Sequence, residues 1–524
     1  MRKIAKIAAI CAVFGLALFA AGCSNSSDPL PYVPGGGGSG GGGGKKAGSV
    51  SYATTSVKKT VGDAAFTNPL TKTGDGVVVY GSSDINVATV DVTTGEVTIK
   101  AAGTTTIRAT VSDSAAYTYE TKSASYTLEV KDPVTIPLTF EFPSEGSGGT
   151  ITFINKPATL KYSFDGGETK TDASEDSITV SAGGKVSLFA ETTGSTEFKP
   201  FKISCDADCY VYGNVMSLVT YDATSGEWNP NARELASARA FYMLFYVNGN
   251  KIKNHPSNNL VLPATTLTQS CYSWMFYGCT GLTRAPALPA TTLVQFCYNS
   301  MFQKCTGLTS APALPATTLA DNCYSDMFSG CTGLKSAPAL LPATTLAVNC
   351  YNNMFKGCAS LTSAPALPAT TLAPTCYSAM FYGCTGLKSA PALLPATTLV
   401  EGCYNAMFKE CASLTSAPAL PATTLEVNCY SAMFEGCTSL TKAPDLPATT
   451  LADLCYRQMF TGCTALKEIK CLATDISASD CTTDWVKDVP TGTPPGTFTK
   501  ASGMTGWTTG ADGIPSGWTS QDAN

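Results

Sequence analysis

The chain has 524 residues, a net charge of −5, 14% charged residues and 44% hydrophobic residues. It can therefore bury a core, it is not broadly disordered, and it lacks the basic surplus that marks nucleic-acid binders. The one histidine, His255, removes His-rich metal sites, and none of the 22 cysteines stands in a Cys-x-x-Cys pair, which removes the zinc-ribbon and dithiol signatures.

Arg2, Lys3 and Lys6 precede an apolar run from Ile7 to Ala21, the layout of a secretory signal. Its end, Ala20-Ala21-Gly22-Cys23, resembles a bacterial lipobox, with Ala20 where leucine is commoner. The resemblance implies a lipoprotein signal peptide over 1–23, lipidation of Cys23, attachment to a membrane through that lipid, and an outer-membrane, cell-surface location. Residues 24–47 hold a glycine run, Gly35 to Gly44, broken only by Ser39. Such a linker is a flexible coil with a reach of roughly 25 Å for about 20 residues.

Residues 48–132 alternate with period 2, and Val87 to Thr98 reads as strand, Gly95 turn, strand. The string from Val87 through Gly95 and Gly103 to Thr110 resembles the bacterial Ig-like group 2 domain, which implies a small β-sandwich acting as a spacer. Residues 133–215 read as a second β-sandwich-like domain, with Leu138–Phe142, Thr150–Phe153, Leu160–Phe164 and Lys185–Phe189 alternating, and hairpin turns at Asp165-Gly166-Gly167 and Ala182-Gly183-Gly184. Cys205 and Cys209 lie four apart, a spacing open to a disulfide in an exported protein. Asp206 and Asp208 between them fit a solvated loop better than a cation site.

From 263 to 466 the chain repeats itself in eight units of 26–27 residues. The first cysteines stand at Cys271, Cys297, Cys323, Cys350, Cys376, Cys403, Cys429 and Cys455, each followed eight residues later by a second. The two longer steps come from an extra leucine, read as Leu341 and Leu394. So little length drift implies stacked rungs. With the first cysteine at position 0, Cys, Tyr, Met, Phe and Cys at 0, +1, +4, +5 and +8 fit one face of a short helix, with glycine at +7 as its cap. The proline-interrupted remainder fits short strand and polyproline II. Its adjacent threonines are expected on opposite faces of the strand. The Met-Phe-x-Gly-Cys-x-x-Leu string resembles the BspA-like leucine-rich repeat, with Met327 where that family shows Ala. The resemblance implies cell-surface attachment and protein binding.

Residues 216–262 look like an N-terminal cap, since Ala240 to Asn248 imitates the repeat and puts Asn248 in a cysteine column. His255 falls in an alanine column of that degenerate rung and reads as a cap residue, not a catalyst. Residues 467–524 look like a C-terminal cap, with a helix expected over Ser479 to Val489 and short strands from Gly496 to Trp518. The sixteen repeat cysteines read as buried free thiols in two ladders.

The fold class is therefore mixed and mainly β: Ig-like β-sandwich modules, then an α/β leucine-rich-repeat solenoid. The expected function is adhesion to a host or bacterial surface protein or glycan, with no enzyme activity, cofactor, metal or nucleic-acid partner. Other readings are a carbohydrate-binding or carbohydrate-active protein and a purely structural envelope component. Columns that vary while the frame repeats mark the exposed surface, and Trp274, Tyr277, Lys304, Lys356, Tyr382 and Lys409 are the candidate binding residues.

Overall fold

The computed structural model describes residues 45–60, 65–101, 103–119, 122–131, 136–246 and 248–524. The expected signal peptide, Cys23 and nearly all of the linker lie outside the described residues. Among the described residues the regular secondary structure is almost entirely β, with 28% strand and 1% helix. No helix among the described residues is long and apolar enough to cross a membrane.

The first module alternates as its sequence does. Along strand Gly103–Val111 every second side chain, from Thr105 to Val111, is buried. That strand lies between Ser123–Lys131 and Val78–Ser82, with Ser56–Thr60 added in parallel at the edge. Ala88–Val90 and Glu96–Ile99 pair across the expected turn, where Gly95 takes φ 74° and the Asp91 carboxylate accepts from the Thr93 and Thr94 amides. Val97, Ile107, Ala109, Tyr126 and Leu128 fill a core of the module's own.

The second module has two sheets. Gly149–Ile154 lies between Ser177–Val180 and Lys202–Cys205. The larger sheet runs, in spatial order, Thr171–Asp172, Lys161–Ser163, Lys185–Phe189, Thr139–Glu141, Cys209–Asn214 and Ile252–Asn254. The turn at Asp165-Gly166-Gly167 is a hairpin between adjacent strands. That at Ala182-Gly183-Gly184 is not: it carries the chain from the smaller sheet to the larger. Ile252–Asn254 and Leu260–Val261 both pair in parallel with Cys209–Asn214, so the sheet continues into the cap of the array. One hydrophobic core runs from Leu138 to Trp518 without a break at 215.

The repeats contain no α-helix. Each Cys-to-Cys segment is a chain of tight turns with a period of four. The amides of Cys297, Asn299, Met301, Gln303 and Cys305 donate to the carbonyl three residues back, while those of Tyr298, Ser300, Phe302 and Lys304 donate to the next rung. Half the backbone donors thus close turns and half join rungs, so every one is satisfied without a helix or a strand. This geometry puts positions −1, +3 and +7 in the left-handed region in all eight units, with φ between 50° and 74°. Glycine at +7 is therefore the last left-handed step of a turn spiral, not a helix cap.

The spiral turns Cys, Tyr, Met, Phe and Cys inward, and all are at most 2% exposed. Rings of successive rungs stack in two ladders, Phe276 to Phe460 with centroids 5.3–5.8 Å apart and Tyr272 to Tyr430 at 5.6–5.8 Å. On the opposite flank prolines break the ladders to single parallel bridges such as Ser310↔Ser336 and Thr345↔Thr371. The extra leucines differ from the sequence reading. Leu341 and Leu394 fill the buried column, and Leu340 (47% exposed) and Leu393 (45%) bulge outward. Both threonines of each pair are also exposed, because the pair forms a corner: the amides of Thr317 and Thr318 both donate to the Thr291 carbonyl.

The caps extend the ladders. Phe241 and Phe245 stack on Tyr272 and Phe276, each at 5.4 Å. Asn248, in the cysteine column, accepts from the Cys205 amide and donates to the Ile203 carbonyl, tying the array to the second module. At the other end the expected helix over Ser479 to Val489 is a further turn spiral, with Asp480, Asp484 and Asp488 left-handed. Its Trp485 stacks on Tyr456 at 6.2 Å and on Trp507 at 5.3 Å. Without proline in their way, Glu468–Cys471, Thr497–Lys500 and Thr519–Asp522 join Lys442–Leu446 in a four-stranded parallel sheet.

Candidate binding edge of the repeat array

The turn spiral decides which side chains face out. Position +6 follows the buried phenylalanine and precedes the left-handed step, so its side chain leaves the core on the same edge in every rung. That column reads Tyr277, Gln303, Ser329, Lys356, Tyr382, Lys409, Glu435 and Thr461, all half-buried. The six sequence-derived candidates fall on this edge in two clusters of three.

In the first cluster Tyr277 stacks on Trp274 at 5.3 Å and on Tyr246 at 4.9 Å. Lys304 Nζ lies 5.2 Å from the Tyr277 ring and Lys202 Nζ 4.8 Å from the Tyr246 ring. The Trp274 indole N–H donates to Asn299 at 3.0 Å. Its backbone is left-handed, φ 61°, a conformation disfavoured for a bulky residue, so the surrounding rungs hold it there. A hydrogen bond with the Tyr277 hydroxyl raises the Lys304 pKa. Tyr246 and Lys202 escaped the sequence reading. Tyr246 belongs to the degenerate cap rung, and Lys202 to a strand of the second module.

In the second cluster Tyr382 lies between Lys356 and Lys409, with ring-to-Nζ distances of 5.0 and 5.8 Å. Its hydroxyl donates to Glu410 at 3.3 Å, and Lys409 pairs with Glu435 at 2.8 Å. Partial desolvation, then Glu410, raises the Tyr382 pKa. Four rungs separate Tyr277 from Tyr382, about 20 Å at the spacing of paired strands. The edge thus offers two aromatic platforms, each flanked by two ammonium groups, on a rigid frame.

The cysteines face the other way. Every second cysteine donates its S–H to the phenylalanine carbonyl of the preceding rung, from Cys279 on Phe245 at 3.1 Å to Cys463 on Phe434 at 3.1 Å. All sixteen are free thiols, and burial pushes Cys271, Cys331 and Cys384 up to about 12. Cys205 and Cys209 are free, buried thiols as well. Asp206 and Asp208 do not converge: Asp206 accepts from the Thr150 amide at 2.7 Å, and Asp208 faces Lys253 at 3.4 Å. Among the described residues no three His, Cys, Asp or Glu side chains gather as metal ligands would.

Residues 69–113 match the intimin immunoglobulin-like domain, so the first module is a bacterial Ig-like domain. No curated protein matches the chain. A crystal structure of a TLR13–ssRNA13 complex aligns over 50% of this chain and 38% of its own, at 15% identity with a TM-score of 0.23, a likeness too weak to carry any argument.

Proposed function

We propose that the chain is a surface-exposed bacterial lipoprotein that mediates adhesion, with the Ig-like and second modules as a spacer and a BspA-like leucine-rich-repeat array as the gripping surface. The observation that carries the reading is the paired aromatic and ammonium clusters on one edge. Half-buried aromatic rings supply large contact area at little entropic cost, and they dominate the energetics of protein interfaces. Four lysines, of which Lys409 is paired with Glu435, favour a partner segment with acidic residues. The intimin-type Ig-like domain and the lipobox-like Cys23 support a place outside the cell. The edge works by binding, not catalysis.

The test uses the full chain, with adherence measured on epithelial cells and on immobilised extracellular-matrix proteins. Combining Trp274→Ala with Tyr382→Ala is expected to cut adherence at least tenfold, as the loss of two interface anchors would, and raised salt is expected to weaken what remains. Adherence unchanged in the double variant sinks the edge reading. Cys23→Ala is expected to move the exported protein from the detergent to the aqueous phase, and unchanged partitioning removes the lipid anchor.

A further inference from the structure

A second site lies apart from the array edge, on the outer face of the larger sheet of the second module. Across four adjacent strands Ser163 is paired with Ser187, Ser187 with Thr139, and Thr139 with Tyr212. The intervening residues Phe140, Val186, Leu188 and Val211 fill the core on the opposite face. Ser163, Thr139 and Ser187 are only 2–3% exposed although they stand on the outer face. They line a cavity of about 290 Å³ walled by Phe164, Lys185 and Tyr212.

Burying three hydroxyls where valine would pack carries a cost unless they bond to something. Within the protein the bonding is only partly used. Thr139 donates to the Pro137 carbonyl at 2.8 Å, which commits its proton. Ser187, 2.8 Å from Thr139, must then be the donor between the two hydroxyls, and its own oxygen keeps its lone pairs for an incoming O–H. The Ser163 hydroxyl bonds Asp165 and accepts from the Gly167 amide at 2.8 Å, which fixes the Asp165 carboxylate at the rim. Phe164 is 56% exposed, and its ring stands edge-on to Tyr162 at 5.3 Å.

The charges disfavour an anion as the occupant. The Lys185 ammonium is 3.2 Å from Glu141, which also accepts from the Tyr212 hydroxyl at 2.9 Å and faces His255 Nε2 at 3.5 Å. His255 accepts the Ser257 and Asn258 amides at Nδ1, and burial lowers its pKa, so it adds no charge at neutral pH. With Lys185 and Glu141 cancelling, Asp165 leaves the site weakly negative. Hydroxyls, a carboxylate and an exposed ring around a small cavity suit a neutral, polyhydroxylated ring with one apolar face. The volume is near the lower limit of ligand pockets, the size for a single ring.

We propose that this cavity binds one neutral sugar unit of a glycan, stacked on Phe164 and hydrogen-bonded through Ser187 and Asp165. The test is saturation-transfer NMR on the full chain with the methyl glycosides of galactose, glucose, mannose and N-acetylglucosamine, and with sialyllactose as the anionic probe. Transfer to at least one neutral glycoside is expected. Phe164→Ala, at an exposed position, is expected to weaken it at least tenfold, and Ser187→Ala is expected to weaken it in a protein that still unfolds cooperatively, at a somewhat lower temperature because a buried hydrogen bond to Thr139 is lost. Trp274→Ala, on the array edge, is expected to leave it unchanged, so this site and the adhesive edge succeed or fail separately. No transfer to any neutral glycoside, unchanged affinity in Phe164→Ala, or a preference for sialyllactose would each overturn the proposal.

Discussion

The two flanks of a rung hold the array together in different ways. On the turn-spiral flank every amide has a fixed partner and the inward side chains are nearly identical in eight rungs. On the proline flank the rungs meet at single bridges, and the chain there runs one residue longer in two of them. The extra length emerges as exposed Leu340 and Leu393, and the spiral above it is undisturbed. The spiral sets the register and the proline flank absorbs variation, as expected where one side has a complete hydrogen-bond ladder and the other has lost donors to proline.

The largest effect should come from moving a length change to the wrong flank. One alanine inserted between Met327 and Phe328 shifts every later inward residue of that rung and breaks its alternating bonds to both neighbours. Loss of cooperative unfolding of the array, followed by circular dichroism in denaturant, is the expected outcome. Deleting Leu340, which restores the shorter unit, is expected to leave the transition in place. Equal damage from both would mean that the flanks are equivalent. Next in size is Phe328→Ala, expected to cost about 3–5 kcal/mol because its ring is fully buried between Phe302 and Phe355. Leu340→Ala should cost almost nothing, and the difference in denaturant midpoint measures the contrast.

The spiral thiols sharpen the comparison further. Burial holds their pKa up to about 12 at Cys271, Cys331 and Cys384, so the reactive thiolate is scarce at pH 8. Native protein is expected to resist alkylation, and all sixteen repeat cysteines should label in denaturant without reductant. The sign with pH follows: a raised folded pKa favours the protonated thiol, so this contribution to stability persists below the ordinary thiol pKa of about 8.5 and is lost as pH rises through the folded value. Repeat cysteines that label only after reduction would show rungs joined by disulfides, and the S–H bonds to phenylalanine carbonyls would then be wrong.

Much of this was legible in the sequence, and the misreading has a definite cause. Inward residues at 0, +1, +4, +5 and +8 satisfy a helix of 3.6 residues per turn and a turn spiral of exactly four almost equally well. The discriminating signal was in the outward positions. Asn322, Asp326 and Gly330 stand at −1, +3 and +7, and Asn349, Asn353 and Gly357 repeat the pattern. These are the residue types that enter the left-handed region most readily, and a helix has no use for them every fourth residue. The interruption of the strand on the proline flank is legible because proline removes donors in any context. Column variation found six edge residues, but it could not find Tyr246 or Lys202, which lie outside the repeat. The sugar site was hidden for a similar reason: Thr139, Ser163 and Ser187 look like ordinary solvent-facing strand residues until the sheet sets them side by side.

The smallest effect tests the left-handed steps themselves. Six units place glycine at +7, while the other two place Lys304 and Glu410 there at φ 61° and 60°. A side chain in that region costs roughly 1–2 kcal/mol, and glycine returns roughly 0.5–1 kcal/mol of that through its freer unfolded chain. Glu410→Gly should therefore stabilise the array, by about 0.5–1 kcal/mol, although it deletes a carboxylate that accepts from Tyr382. Gly357→Ala, at φ 70°, should destabilise it. Lys304→Gly should show the same gain in stability and lose adherence at once, because its ammonium lies against the Tyr277 ring. A helix capped at +7 would answer in the same sense there, but its interior position +3 would be weakened by glycine, whereas Ala379→Gly, at φ 51°, should stabilise the spiral. The denaturant midpoint of Ala379→Gly therefore decides between spiral and helix, and the adherence of Lys304→Gly separates the frame from the edge it carries.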